Sequence, residues 1–236
     1  MKKTLLKVEN ISIYLKKKNI KNCLVENISF ELKEGECLGI LGESGSGKSL
    51  TCKSIMGLLD NKTFFTEGKA IYNGENLLEC KGEELRKLRG KEIAMILQNP
   101  MTCFDPLYTV GYQIAETFTE HTSYSAEEIK KRTIEILEKM QLKNSEDILL
   151  KFPHQLSGGM LQRIMIGLAL AMNPKFIIAD EPTTAIDAIT QYEIMKEFQK
   201  IKKDGKVGMI FISHDLGVIS EISDYVIVMN KGKIVS

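Results

Sequence analysis

"GESGSGKS", Gly42–Ser49, follows the apolar run "ECLGIL", Glu36–Leu41, and opens into "SLTCKSIMGLL", Ser49–Leu59. The octet fits the pattern G-x-x-x-x-G-K-[ST] in full. Its glycines let the backbone curl until its N–H groups point inward at phosphate oxygens. A helix starting at Lys48 and running through Leu59 adds the positive end of its dipole. In such a loop Lys48 neutralises charge on the β- and γ-phosphates, and the Ser49 hydroxyl ligates Mg²⁺. Gly42, Glu43, Ser44, Gly45, Ser46, Gly47 and Leu50 complete the nucleotide-binding set. An ordinary glycine turn between strand and helix is the plain alternative. A dinucleotide fingerprint is not, because "GSGKSL" lacks the third glycine at the required place.

The flanking segments set this loop in an α/β fold. Nearly continuous apolar character in "ECLGIL", "EIAMIL" (Glu92–Leu97), "KFIIAD" (Lys175–Asp180), "VGMIFIS" (Val207–Ser213) and "YVIVMN" (Tyr225–Asn230) reads as buried parallel strands. "VENISIYL" (Val8–Leu15) and "VENISFEL" (Val25–Leu32) alternate apolar and polar residues, as half-buried strands do. "TEGKAIYNG" reads as a strand closing in an Asn73-Gly74 turn. Between residues 99 and 155 the chain is mostly helical. "SAEEIKKRTIEILEKM" starts with Ser125 as N-cap and Glu128 three residues on, a capping box. Its Ile129, Ile136, Leu137 and Met140 share one face. "AITQYEIMKEFQKIKK", Ala188–Lys203, is a further helix. Strands alternating with helices predict a parallel α/β sheet, with the helical stretch inserted into it.

Bulk properties narrow the class. A net charge of +1 over 236 residues gives no electrostatic reason to expect a nucleic-acid partner. Five scattered cysteines (Cys23, Cys37, Cys52, Cys80, Cys103) form no C-x-x-C pair, so they read as reduced cytosolic thiols rather than a disulfide framework or zinc site. No run approaches the roughly eighteen apolar residues of a membrane span, and "MKKTLLKVEN" lacks the apolar core of a signal peptide.

Chemistry concentrates at strand ends. "KFIIADEP" delivers Asp180 to the carboxyl edge of the sheet, where the phosphate loop also sits. Asp180 is therefore expected to hold Mg²⁺, and Glu181, one step on, suits a general base that polarises the attacking water. A pair of structural caps would look similar in the absence of the phosphate loop. Gln98 ends one buried strand and His214 follows another in "FISHD". A glutamine there can ligate Mg²⁺ or sense water, and an imidazole can hydrogen-bond the γ-phosphate. Taken singly, such residues are usually structural. His121 and His154 have no comparable context and read as surface or local packing.

"LSGGMLQR", Leu156–Arg163, raises a separate question, because one nucleotide needs one phosphate loop and the chain already has one about a hundred residues earlier. Ser157, Gly158 and Gly159 open an apolar helix and make a second surface rich in N–H groups. A tight packing turn is the alternative reading.

Taken together, these motifs resemble the ATP-binding subunits of ABC transporters, over essentially the whole chain. "GESGSGKS" matches Walker A, Gln98 the Q-loop, "LSGGM" the signature, "IIADE" Walker B, "TTAID" with Asp187 the D-loop, and His214 the switch histidine. The resemblance implies an α/β fold: a P-loop NTPase core of the RecA-like kind, with an antiparallel β subdomain and a helical insertion subdomain. It implies one ABC domain over 1–236, with a nucleotide-binding core at 1–98 and 164–236 and the helical subdomain at 99–163. ATP and Mg²⁺ are the implied cofactors. The signature would close over ATP held by a partner's Walker A loop, with Ser157 and Gly159 in contact. An aromatic ring near the first strand stacks on adenine in the family. Tyr14 is the candidate here, although Leu15 occupies the aligned place.

"QNPMTCFDPLYTVGYQIAETF" and "FPHQLSGGM" are similar to the D-type subunits of the peptide/nickel importer ATPases. That implies pairing with an F-type ATPase subunit, or with itself, on two transmembrane permease subunits at the cytoplasmic face of the inner membrane. An extracytoplasmic solute-binding protein would complete the importer. The stop at "NKGKIVS" favours nickel or a nickel–metallophore complex as the solute, with peptides as the alternative. Two other readings compete. One is a non-transport ABC ATPase; translation-type members carry two cassettes in one chain, and repair-type members separate their motifs with long coiled coils. The other is a regulatory module that only binds ATP, against which Glu181 and His214 argue.

Overall fold

The computed structural model describes residues 2–17, 20–80, 82–184 and 186–236. The strands are β1 (Thr4–Lys17), β2 (Ile20–Lys33), β3 (Cys37–Leu41), β4 (Phe64–Tyr72), β5 (Glu75–Asn76), β6 (Ile93–Ile96), β7 (Phe176–Asp180), β8 (Gly208–Ser213), β9 (Tyr225–Asn230) and β10 (Lys233–Ile234). The helices are α1 (Lys48–Ile55), α2 (Gly82–Leu88), α3 (Val110–His121), α4 (Ala126–Lys139), α5 (Ser145–Leu149), α6 (Gly158–Ala171), α7 (Ala188–Asp204) and α8 (Leu216–Ile222).

Two sheets form. One is antiparallel with order β2-β1-β4-β5, and the other runs β10-β9-β3-β8-β7-β6, parallel from β9 to β6. Strands β3, β7 and β8 are apolar on both faces because both are covered, whereas β9, expected to be buried, lies near the sheet edge with Val226 exposed and only Met229 in the core. Cys37, Ile177, Ala179, Met209 and Phe211 pack with Leu161, Ile164, Phe198 and Ile219 of the helices. Their alternates Leu38, Ile40, Ile178, Ile210 and Ile212 pack with the antiparallel sheet and with Cys52 and Ile55 of α1. Each such fully buried aliphatic or aromatic side chain contributes roughly 1.5–3 kcal/mol.

The strict alternation expected along β1 and β2 is broken. Asn10 and Asn27 both take φ 53, and the β1–β2 register shifts between Val8 and Ile11. Each bulge inserts a residue, so the inward face passes from Val8 to Ile11 and from Val25 to Ile28. The bulges hold each other: Asn10 N donates to Ser29 Oγ at 2.8 Å, and Asn27 N donates to Ser12 Oγ at 3.0 Å. The Asn73-Gly74 turn forms with φ 49 and 86, joining Tyr72 opposite Glu75.

Helix α1 is shorter than the expected run to Leu59. Gly57 turns left-handed with φ 60, and Arg89 reaches in to donate to Met56 O and Gly57 O, each at 3.0 Å. Helix α4 carries the capping box, with Glu128 N donating to Ser125 Oγ at 3.3 Å and Ser125 N to Glu128 Oε2 at 2.8 Å. Its Ile129, Ile136, Leu137 and C-terminal neighbour Met140 are buried. Cys37 and Cys52 are buried, and all five thiols are free. Among the described residues no helix is long and apolar enough to cross a membrane.

Candidate functional site

The loop leaving β3 is braced by distant chain. A Cβ on Gly42 would lie 2.2 Å from Met229 O of β9, so no side chain fits there. Gly232 N donates to Ser46 O at 3.0 Å. Gly45 and Gly47 take φ 79 and 102, a region open to glycine at little cost. Gly47 is the N-cap of α1, and no side chain caps that helix. Lys48 is buried, its Nζ donating to Gly42 O at 2.7 Å and Glu43 O at 2.9 Å. Ser46 Oγ is buried without a protein partner. Uncapped N–H groups, a cation and an orphan hydroxyl around one loop make a cradle for an anion.

Beneath it Ser49 Oγ donates to Asp180 Oδ1 at 2.7 Å, linking α1 to the end of β7. Asp180 is only 1% exposed. Burial pushes its carboxyl up, opposed by the Ser49 hydrogen bond and the charge of Lys53.

Glu181 breaks the strand with φ 46, while its N–H still donates to Ile212 O at 3.0 Å. A continuing strand would send Glu181 to the opposite face from Asp180. The left-handed residue changes that direction at a cost of about 1–3 kcal/mol. Three groups converge on its Oε2. Gln98 Nε2 donates at 3.0 Å, Thr184 Oγ1 donates at 3.1 Å, and His214 Nδ1 lies 3.3 Å away. The Glu181 side chain is 11% exposed and that of His214 58%, so the imidazole stands at the solvent edge of a sheltered carboxylate. Strand β6 ends at Ile96, so Gln98 stands two residues beyond it rather than at its end.

A cavity of about 360 Å³ unites these parts, lined by residues 44–50 with Leu24, Lys53, Gln98 and Glu181. Leu24 and Lys53 lie outside every motif of the sequence. Lys53 had a signal, being a cation one helical turn beyond Ser49. Tyr14 is not in this lining; its ring lies tilted against Phe65, with centroids 6.3 Å apart.

Ser157, Gly158 and Gly159 are likewise outside the cavity. Ser157 Oγ caps α6 by accepting from Met160 N at 3.2 Å, and Ser157 and Gly158 are exposed. A Cβ on Gly158 would meet no atom within 4 Å, so packing inside this chain does not require that glycine. Asp187 caps α7 by accepting from Thr190 N at 3.0 Å. Ala185, inside the "TTAID" stretch, lies outside the described residues. His121 lies against Gly90, where a Cβ would come within 2.6 Å of its ring, and exposed His154 stacks on Phe152. Neither lines the cavity.

A glycine loop opening a helix beside a buried carboxylate, at the carboxyl edge of a parallel sheet, is the geometry of a nucleotide-binding cassette. The model of the ABC transporter family matches residues 25–184, and the chain belongs to that family. Its fold is the ABC ATPase fold. Over 98% of this chain it superposes on 97% of the dimeric post-hydrolysis structure of the ATP-binding cassette MJ0796 bound to ADP and Pi, with a TM-score of 0.87 and 30% identity. Among relatives, the metal-staphylopine import system ATP-binding protein CntD of Staphylococcus aureus NCTC 8325 is 52% identical over 212 residues, 90% of this chain and 78% of that one. The oligopeptide transport ATP-binding protein OppD of Bacillus subtilis 168 is 42% identical over 232 residues, 98% of this chain and 65% of that one.

Proposed function

We propose that the chain is the ATP-binding and ATP-hydrolysing subunit of an ABC importer. The observation that carries this is the convergence of Gln98, Thr184 and His214 on one oxygen of Glu181, at a cavity floored by the phosphate loop. Residues 42–50 would hold the phosphates, with Lys48 as the cation. Ser49, Asp180 and Gln98 would hold Mg²⁺, which when bound screens phosphate charge and lowers the barrier to attack. Glu181 Oε2 accepts the proton of the attacking water. Gln98 and His214 fix the direction of that carboxylate, and His214 steadies the γ-phosphate. Positioning and charge stabilisation supply most of the acceleration.

Ser157, Gly158 and Gly159 would serve ATP held by a second subunit. The openness around Gly158 supports this, as does the dimeric state named for MJ0796. The partner is an F-type ATPase subunit or a second copy. Two permease subunits would hold the pair at the cytoplasmic face of the inner membrane, with a solute-binding protein outside and no nucleic acid involved. Exposed Leu107, Tyr108, Tyr112 and Leu150 offer an apolar surface for the permeases.

For the solute we propose nickel or a nickel–metallophore complex, supported by the 52% identity to a metal-staphylopine import protein. Peptide import is the second reading, supported by the oligopeptide relative aligned over 98% of this chain. Uptake of labelled nickel, free and metallophore-bound, compared between wild type and Lys48→Ala, separates them. Loss of high-affinity uptake supports the metal. Unchanged uptake, with loss of di- or oligopeptide uptake instead, moves the assignment to peptides.

A further inference from the structure

Gln162 lies on α6, about a turn and a half past Ser157. It is 1% exposed. Its Nε2 donates to two carbonyls from different parts of the chain, Leu97 O at 3.3 Å and Pro182 O at 2.9 Å. Leu97 immediately precedes Gln98, and Pro182 immediately follows Glu181. A single buried carboxamide therefore ties together the two segments whose side chains meet at Glu181 Oε2. Its Oε1 is buried without a partner. The next residue, Arg163, faces the other way. Its Nη1 donates to Met140 O at 3.3 Å and Gln141 O at 3.2 Å, at the end of α4, and its Nε to Gly159 O at 3.3 Å.

A buried polar side chain of this kind costs free energy unless its bonds are made, and an apolar residue of equal shape would fill the space without that cost. We propose that Gln162 is a positioning residue that couples the orientation of α6, and with it Ser157–Gly159, to the Gln98–Glu181 contact. This rests on the function proposed above. It adds a mechanical link from the signature helix to the catalytic carboxylate of the same chain. Arg163 extends the link to the helical insertion, so a rotation of α6 is felt at both ends.

The test is Gln162→Met, which keeps length and apolar bulk and removes both donors. Three readouts are taken on the full chain. In the nucleotide-free protein, amide exchange should rise across 97–104 and 181–184 and stay unchanged across 48–55. The Kd for ATP should stay within about twofold, because the phosphate loop is untouched, while kcat falls about tenfold. In a Gln98→Ala background the same substitution should cost little more, because residues acting through one contact are not additive. Unchanged exchange at 97–104 and 181–184, or a kcat effect that multiplies with that of Gln98→Ala, overturns the proposal. If Gln162→Met does not fold, Gln162→Glu is the second variant. A buried carboxyl regains one donor only when protonated, so its activity relative to wild type should climb as pH falls; a parallel profile overturns the proposal. A wild-type chain that binds no ATP would instead refute the function itself, whatever exchange shows at 97–104.

Discussion

Gln98 and Glu181 are 83 positions apart in the chain and meet at 3.0 Å. They follow the ends of adjacent parallel strands, β6 and β7, so sheet register brings the two segments together and the left-handed backbone of Glu181 aims its side chain. The register pairs Ile96 with Ala179, and both chains then turn toward the phosphate loop.

Glu181→Gln keeps the shape of the side chain and can still accept from Gln98. It removes the proton acceptor. ATP binding should be intact, the closed dimer should persist on ATP, and steady-state hydrolysis should fall by about 10²-fold or more. Turnover at the wild-type rate would remove Glu181 from the catalytic role.

Asp180→Asn tests the buried carboxylate. Burial raises the Asp180 pKa in the fold, so the unfolded chain carries this group ionised where the folded one resists ionisation. Stability is therefore lost as pH rises from the unfolded carboxylate range through the folded pKa. Without nucleotide, Asp180→Asn should melt at a higher temperature than wild type near neutral pH, and the gap should close as pH falls. Binding of Mg²⁺–ATP should weaken in the same variant. A melting difference that is constant across pH would show that the effect is not electrostatic.

Gly158→Ala separates packing from partnership. The added methyl meets nothing within 4 Å, and alanine is the better helix former, so the isolated chain should be as stable as wild type or up to about 1 kcal/mol more stable. ATPase activity of the assembled transporter should nevertheless drop. A variant both stable and fully active in the assembly would show that the glycine serves no second subunit.

Leu24 lines the cavity and Tyr14 does not. Leu24→Ala should therefore weaken ATP affinity about fivefold, the loss expected for removing roughly one kcal/mol of apolar contact. Tyr14→Ala should change it less. Equilibrium titration of both with a fluorescent ATP analogue decides; a larger effect at Tyr14 would put the base beside the aromatic ring instead.

Much of the fold was legible because its signals are local. The octet Gly42–Ser49 needs only its own spacing, and the capping box of α4 needs only Ser125 and Glu128. What escaped depends on partners far away. The bulges at Asn10 and Asn27 exist because each is held by a serine of the other strand. Helix α1 stops at Ile55 as Gly57 turns left-handed, and Arg89 holds the carbonyls of Met56 and Gly57 just beyond it, although "MGLL" continues the apolar pattern. In the candidate site, residues within motifs could be named in advance. Leu24 lies in no motif and Gln162 lies within one, but the meaning of both lies in what the fold sets opposite them. Gln162 donates across 65 positions to Leu97 and across 20 to Pro182, which no spacing within "LSGGMLQR" encodes.

The bracing of the phosphate loop by Met229 and Gly232 has a consequence in time. A ribosome makes residues 42–49 early, but the groups that hold Gly42 and Ser46 in place are made almost two hundred residues later. A nascent fragment therefore carries the whole motif without the wall behind it until β9 and the turn after it have been released and docked.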